Sequence, residues 1–325
     1  MSRFAAPGVR RVLPAIALGF ACSAQAGPTD PMAWLQRAVE ASRQASYEGT
    51  YVHTNGDRTS TVRVTHLNNG GEEYERIEPL DGANPLELVR RNDEMYCKFP
   101  AKTVRLDPRI TNRFFPAILV AGAETVAISY DVRLGKTEQV LGFECQWIRL
   151  DPRDNLRFSQ RLCSETETGL ILRAKVMNDH EQVIEQYTFT ELKVGSQVGR
   201  TDLKSVFKSR SKQWLSDGQP RDDAANAETG WAVRRLPPGF QKLAELTRTL
   251  PARSGPVAQI VLTDGVASMS VFIEINVKQQ KATEMFSEDG TTTYFARPVG
   301  DKLISVLGEV PLTTAQQVAR SVSRR

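Results

Sequence analysis

Apolar and polar residues alternate with a period of two over most of residues 47–192, which is typical of antiparallel strands with one buried face. The dipeptide Asn55-Gly56 is a strong hairpin signal, and a second turn follows at residues 68–71. The strand-like segments lie at residues 47–52, 61–66, 73–78, 87–90, 95–99, 103–106, 130–134, 143–150, 156–163, 170–176 and 183–192. Because turns join them in sequence, we predict a sheet that curls into a barrel or half-barrel.

Two further segments show helical periodicity. Asp30 is a good N-cap before Pro31, and the apolar residues that follow recur at helical spacing: Trp34, Leu35, Ala38 and Val39. A second helix is predicted at residues 313–322, where Thr313 and Gln316 fit a capping box. These helices and the strands together predict an α+β protein.

A change of composition divides the chain into two units. Residues 208–230 are polar and rich in turn formers, which indicates a linker. We therefore predict an N-terminal domain at residues 27–207 and a small C-terminal domain at residues 231–325. The second unit has strand-like segments at residues 258–262, 268–276, 291–296 and 303–307 before its helix, and is expected to be a small α/β domain.

The first 26 residues have the pattern of an export signal. Three arginines precede an apolar run at residues 12–21, and Ala24-Gln25-Ala26 is a sequence that signal peptidase accepts. We predict cleavage after Ala26 and export to the periplasm, with a retained anchor and a lipoprotein modified at Cys22 as alternatives. The run is too short to span a bilayer as a helix, and Gly19 stands where a lipobox has Leu.

Composition places the mature chain among ordinary folded proteins. The full chain has 325 residues, 40% hydrophobic and 25% charged, which excludes collagen-like and wholly disordered proteins. Cleavage of the signal would leave 39 Lys and Arg against 38 Asp and Glu. A net charge near +1 gives no reason to expect nucleic acid as a partner.

Three cysteines would remain after cleavage, which allows one intramolecular disulfide and one thiol in an oxidising compartment. Cys97 and Cys145 both lie in strand-like segments, and we favour that pair over three buried thiols. Cys163 is then the unpaired residue. No spacing is C-x-x-C, so neither zinc nor a redox pair is indicated.

The sequence offers little catalytic chemistry. Its three histidines are isolated, and it contains neither a G-x-S-x-G elbow nor a phosphate-binding glycine loop. We therefore predict no enzyme, no cofactor and no metal, with an exported hydrolase assembled in space as the alternative.

Two features indicate binding instead. The apolar segment 114–120 is predicted to form a helix or lid, and its side chains Phe114, Phe115, Ile118 and Leu119 are candidates to line a cavity for acyl chains. The alternative is an ordinary core helix. Arg157 and Arg161 alternate with Ser159 on a predicted strand and are candidates for a phosphate headgroup, with solvent-facing charge as the alternative.

The order and spacing of many short segments resemble the RseB/MucB family, periplasmic negative regulators of the sigma-E (AlgU) envelope-stress response. The segments are residues 47–53, 86–91, 144–146, 161–170, 185–190, 236–240, 262–272, 299–301 and 308–311. The resemblance implies an N-terminal domain shaped like the carriers LolA and LolB, an unclosed barrel with helices, and a small α/β domain.

The resemblance also implies a function by binding. Family members bind the periplasmic part of an anti-sigma factor (RseA or MucA) and shield it from the site-1 protease, and lipopolysaccharide or mislocalised lipoprotein releases them. It implies no catalytic residue. Because domain junctions favour binding sites, we expect the partner between the domains, with Trp231 and Phe240 as candidate contacts. A lipid or lipoprotein carrier is the alternative function, and a homo-oligomer stays open.

Overall fold

The computed structural model describes residues 29–82, 87–92, 94–98, 103–106, 114–195, 228–249, 255–275 and 284–325. The predicted signal peptide lies outside these residues, as do residues 208–227 of the predicted linker. Among the described residues, no helix is both long and apolar enough to cross a membrane.

The larger sheet has eleven antiparallel strands, and its first strand joins its two halves. The bounds are β1 Tyr47–Asn55, β2 Arg58–Asn69, β3 Glu72–Pro79, β4 Glu87–Arg91, β5 Glu94–Lys98, β6 Thr103–Leu106, β7 Tyr130–Val140, β8 Phe143–Pro152, β9 Ser159–Glu165, β10 Ile171–Met177 and β11 Val183–Val194. The strand order is β6-β5-β4-β3-β2-β1-β11-β10-β9-β8-β7. Within the described strands, β6 and β7 do not pair with each other, so the sheet is open.

Two helices cover the inner face of this sheet, α1 (Pro31–Gln44) and α2 (Ala123–Ser129). The side chain of Asp30 accepts from the backbone N–H groups of Met32 and Ala33, which confirms the predicted cap. Helix α1 contacts β2 and also β8 and β7, which lie five and six positions away from β2 in the strand order. The sheet therefore curves around α1, whose residues Trp34, Leu35, Ala38 and Val39 are buried.

The C-terminal part forms a separate and smaller sheet domain. Its elements are β12 Trp231–Val233, β13 Gln241–Thr249, β14 Pro256–Thr263, β15 Ser268–Ile275, β16 Met285–Asp289, β17 Thr292–Val299, β18 Lys302–Gly308, α3 Leu312–Arg320 and β19 Val322–Arg324. Six strands form one antiparallel sheet in the order β13-β14-β15-β18-β17-β16, and β12 pairs with β19. Helix α3 packs on β17 and β18. The predicted α+β class, with a long antiparallel sheet and a small second domain, is confirmed.

Three local predictions are wrong. The segment at residues 114–120 is irregular, so the helix predicted there as one of two possibilities is wrong, and the helix begins only at Ala123. Helix α3 has Pro311 at its N-cap position and no side-chain cap bond, so Thr313 and Gln316 form no capping box. Strand β9 starts at Ser159, which leaves Arg157 in the loop before it.

The predicted disulfide is also wrong. Cys145 on β8 pairs with Cys163 on β9, with their Cα atoms 5.4 Å apart, and Cys97 is a buried free thiol. Strands β8 and β9 are hydrogen-bonded neighbours, whereas β5, which carries Cys97, lies in the other half of the sheet. The sequence places all three cysteines on strands but does not reveal which strands are adjacent. Burial raises the pKa of the Cys97 thiol, so it stays protonated and unreactive.

Candidate functional site

A buried ion pair joins the two domains. Arg157 Nη1 donates to Asp264 Oδ2 across the domain boundary at 2.7 Å, and both side chains are fully buried. On its own domain, the guanidinium binds both carboxylate oxygens of Asp154, each at 3.0 Å. Its Nη2 also donates to the carbonyl of Pro238 at 2.6 Å. Arg157 is therefore the centre of a polar interface, which we call the Arg157 contact.

Other hydrogen bonds extend the Arg157 contact. The N–H groups of Val120 and Ala121 donate to the carbonyl of Gly265 at 2.9 and 3.3 Å. From helix α3, Thr314 Oγ1 donates to the carbonyl of Leu156 at 2.7 Å. Gly265 has a φ of +95°, and a Cβ there would lie 2.6 Å from the Cβ of Ala121. Only glycine permits this close approach of the two domains.

The charges of the Arg157 contact are costly to bury. Burial raises the pKa of the Asp264 carboxyl, although the backbone N–H groups of Val266 and Ala267 and the guanidinium of Arg157 act in the opposite direction. A buried ion pair stabilises a fold only when its hydrogen bonds repay the desolvation of both charges. The pair therefore adds less stability than its 2.7 Å separation suggests.

The second connection between the domains joins the tips of two hairpins. Asn55-Gly56 turns between β1 and β2, and Asp289-Gly290 turns between β16 and β17. The N–H of Thr291 donates to Asn55 Oδ1 at 2.9 Å. Gly290 has a φ of +58°, and a Cβ there would lie 1.5 Å from Asn55 Oδ1 and 2.5 Å from the backbone nitrogen of Gly56. Glycine is thus required both by the turn and by the neighbouring hairpin.

Glu185 connects this pair of hairpins to the interior of the larger domain. Its Oε1 accepts from His53 Nε2 at 2.7 Å and from the hydroxyl of Tyr187 at 2.8 Å, and its Oε2 accepts from Thr291 Oγ1 at 2.9 Å. Burial raises the pKa of Tyr187, and the nearby carboxylates of Glu185 and Glu309 raise it further, so the phenol stays protonated and donates. Arg58, at the start of β2, forms an exposed ion pair with Asp289. We call the two hairpin tips, Arg58 and Glu185 together the hairpin contact.

A small pocket lies between the Arg157 contact and the hairpin contact. Its lining comes from both domains: Ile118, Leu119, Val120, Phe158, Gln160, Val176, Glu185, Tyr187, Val266, Ala267, Ser268, Thr291 and Glu309. Its volume is about 50 Å³. This is room for a few water molecules, whereas pockets that bind small organic molecules measure roughly 300–1,000 Å³.

All four candidate lipid-binding residues belong to the core of the larger domain or pack against it, and two of them also line the pocket between the domains. Ile118 and Leu119 line the pocket between the domains. Phe115 is buried in the core of the larger domain, where its ring lies 5.3 Å from that of Tyr187, and Phe114 packs against the same core. The apolar segment thus contributes to the core and also to one wall of the pocket.

The candidate headgroup site is not formed as predicted. The guanidinium of Arg157 is fully buried and occupied by Asp154 and Asp264, so it offers no surface to a phosphate. Arg161 is mostly buried, and its Nη2 lies 2.8 Å from Asp151 Oδ1. Neither arginine is a free cation, because the fold pairs each of them with at least one carboxylate.

The two candidate partner contacts are both buried in the core of the smaller domain. Trp231 lies on β12, and the guanidinium of Arg324 stands 5.4 Å above its ring. Phe240 does lie at the domain junction, where the guanidinium of Arg157 is 5.2 Å from the centre of its ring. Neither side chain offers an exposed surface to a partner in this conformation.

Sequence reasoning missed the residues that build the junction. Asp264, Glu185 and Thr291 attract no attention as single residues, because their partners are more than 100 positions away in the chain. The dipeptides Asp264-Gly265 and Asp289-Gly290 were the available signals, since each marks a hairpin turn as Asn55-Gly56 does.

Two sheet domains that enclose a junction of buried ion pairs and apolar residues define a two-domain binding protein. The family model of the MucB/RseB N-terminal domain matches residues 30–207, and that of the MucB/RseB C-terminal domain matches residues 225–323. The chain belongs to the MucB/RseB family.

Relatives of this chain are named as regulatory proteins. The sigma factor AlgU regulatory protein MucB of Pseudomonas aeruginosa is 30% identical over 301 residues, which is 90% of each chain. The sigma-E factor regulatory protein RseB of Escherichia coli K12 is 23% identical over 93% of each chain. The family is thus one of regulators and not of enzymes.

Solved structures of MucB share the fold over both domains. A complex of MucA and MucB from Pseudomonas aeruginosa matches with a TM-score of 0.72 and 28% identity, covering 91% of this chain and 99% of that chain. A structure of MucB in complex with MucA(peri) matches with a TM-score of 0.70 and 27% identity over the same shares.

Proposed function

We propose that this protein is a negative regulator of a sigma-E (AlgU) type envelope-stress response, and that it binds the periplasmic domain of an anti-sigma factor of the MucA or RseA type. The observation that carries this proposal is the match of both domains to MucB bound to MucA(peri), over 91% of this chain. The arrangement of two docked domains supports it, because a bound segment can contact both domains at once.

The mechanism is competition for a cleavable segment. A protein that binds the anti-sigma factor lowers the fraction of that factor which the site-1 protease can reach. Regulation then needs no catalytic group, only an affinity that keeps the free fraction small. The Arg157 contact keeps the two domains docked to each other and so reduces the entropy lost when a partner binds both.

The periplasm is the compartment we assign to this function. The export pattern of residues 1–26 supports it, and so does the buried disulfide between Cys145 and Cys163, since disulfides persist in oxidising compartments.

Release by a lipid-like signal, lipopolysaccharide or the acyl chains of a mislocalised lipoprotein, is the second part of the proposal. Ile118 and Leu119 give the pocket an apolar wall, but its volume of about 50 Å³ does not admit an acyl chain. A lipid would therefore enter only when the domains part. Such a change at the junction would alter the surface that the anti-sigma factor occupies.

The test is a proteolysis assay with the chain from residue 27 onward. A periplasmic domain of the MucA or RseA type is incubated with a site-1 protease, with and without this protein at micromolar concentration. Protection should slow cleavage at least about tenfold when the protein exceeds its Kd tenfold. An unrelated substrate of the same protease should be cut at an unchanged rate, which excludes inhibition of the protease.

The lipid signal is tested in the same assay. Lipopolysaccharide and a diacylated lipopeptide are added separately, with micelles of a neutral detergent as the control. Restored cleavage with one lipid and not with the detergent identifies the signal. Equal cleavage with and without this protein would reject anti-sigma factor binding, whereas protection that no lipid reverses would reject only the release step.

A further inference from the structure

The Arg157 contact and the hairpin contact lie on opposite sides of the pocket between the domains. Glu185 and Thr291 of the hairpin contact line it at one end, and Phe158 and Val266, neighbours of Arg157 and Asp264, line it at the other. Loss of one connection alone would therefore open the pocket on that side while the other side stayed closed. The question is which connection separates more easily.

The hairpin contact can separate without leaving a buried charge unpaired. On separation, Glu185 Oε2 loses the hydroxyl of Thr291, but Oε1 keeps His53 and Tyr187, which belong to its own domain. The ion pair between Arg58 and Asp289 lies at the surface, with 81% of the Arg58 side chain exposed. Exposed pairs of this kind contribute about 0–1 kcal/mol.

The Arg157 contact resists separation more strongly. Arg157 and Asp264 are both fully buried, and separation would remove a charge-assisted hydrogen bond of 2.7 Å from each. It would also break the bonds from the N–H groups of Val120 and Ala121 to the carbonyl of Gly265. Groups on three separate loops would have to be rehydrated together.

We propose that the domains open on the side of the hairpin contact while the Arg157 contact stays closed and acts as the hinge. Opening uncovers Tyr187, Glu185 and the apolar wall formed by Ile118 and Leu119. Closing brings Gly290 back into contact with Asn55. The hairpin contact thus breaks and re-forms reversibly, and it controls access to the pocket. This inference goes beyond the regulatory function and does not depend on which partner is bound.

Two glycines make a matched pair of variants. Gly290→Ala places a methyl group where Asn55 Oδ1 lies, and so prevents the hairpins from meeting. Gly300→Ala is the control, because Gly300 has a nearly equal φ of +62° but no atom within 4 Å of its Cβ position. Both variants carry the same backbone strain, and only the first obstructs the hairpin contact.

Native-state hydrogen exchange reads the two connections separately. The N–H of Thr291 reports on the hairpin contact, and the N–H of Val120 reports on the Arg157 contact. The N–H of Val271, within β15, reports on unfolding of the smaller domain. In the unmodified protein, we expect Thr291 to exchange faster than Val120, and Val271 to exchange slowest.

Gly290→Ala should speed exchange at Thr291 at least about tenfold and leave Val120 and Val271 unchanged. Gly300→Ala should change none of the three. Parallel acceleration at Thr291 and Val120, with Val271 still slow, would mean that the domains separate as a whole, and the hinge would be rejected. Unchanged exchange at Thr291 would also reject the proposal, because the contact between the hairpins would then not protect this N–H group or hold the domains together on that side.

Discussion

Arg157 and Asp264 form a fully buried ion pair across the domain boundary, with Nη1 and Oδ2 2.7 Å apart. Each partner is also held on its own side, Arg157 by Asp154 and Asp264 by the N–H groups of Val266 and Ala267. Local bonds position each charge before the domains meet, so that little side-chain entropy is lost when they do. The point at which the two domains join is therefore determined largely by this ion pair.

Arg157→Met should destabilise the protein strongly. The variant keeps the apolar stem but leaves Asp264 buried without its cation, which costs about 3–5 kcal/mol in comparable cases. Urea unfolding followed by circular dichroism measures the change. Arg133→Met is the control, since Arg133 is exposed and its pair with Asp131 is 3.5 Å long, so less than about 1 kcal/mol is expected. Equal losses in both variants would contradict a structural role for the ion pair.

Thr314→Val should weaken the domain interface, whereas Thr313→Val should have little effect. Thr314 Oγ1 donates to the carbonyl of Leu156, and valine would leave that carbonyl without the bond at a cost of about 1–2 kcal/mol. Thr313 is exposed and caps no helix. Thermal unfolding of both variants compares the sites directly. A larger loss for Thr313→Val would instead support the capping box that the sequence predicts.

Features that depend on neighbours in sequence were predictable. The turn after Asn55 needs only the positive φ of Gly56, and the cap of α1 needs only Asp30 beside its first turn. Period-two alternation likewise revealed most strands of the larger sheet. Helix α3 was also located, but its predicted cap was wrong, because the helix begins at Leu312 and Thr313 already lies inside its first turn.

Features that depend on strand order and on docking of the domains were not predictable. Cys145 pairs with Cys163 because β8 and β9 are neighbours, a fact that strand periodicity does not contain. Arg157 looked like a free surface cation because its partner, Asp264, is 107 positions away. A single sequence shows that such residues are charged, but only the assembled fold shows which charges it buries.

Reduction of the disulfide should lower stability by roughly 3 kcal/mol on the chain-entropy estimate for a loop of this length, because Cys145 and Cys163 are 18 positions apart. Urea unfolding with and without reductant measures the loss. Cys163→Ala should show a similar loss and no further response to reductant. Cys97→Ala should keep the response, since Cys97 is a free thiol. Peptide mapping that joins Cys97 to either other cysteine would contradict the assigned pairing.

Glu245 should give the smaller domain a stability that depends on acid pH. Its Oε1 accepts from the N–H and hydroxyl of Thr229 at 2.8 and 2.7 Å, and its Oε2 accepts from Lys242 Nζ at 2.6 Å. Burial alone raises the pKa of this carboxyl, but the bonds from Lys242 and Thr229 outweigh burial and lower the pKa to about 2. The ionised form is therefore favoured in the folded state.

The sign of the pH effect follows from that lowered pKa. Glutamate in an unfolded chain has a pKa of about 4.3, so the stabilisation is complete above that value and is lost as the pH falls toward 2. Glu245→Gln should cost about 2 kcal/mol at pH 7 and almost nothing near pH 2. Glu288→Gln, at an exposed position of the same domain, is the control and should change stability equally little at both values. Urea unfolding of the three proteins between pH 2 and 7 measures the difference. A penalty for Glu245→Gln that stays constant over this range would mean that the charge of Glu245 does not stabilise the domain.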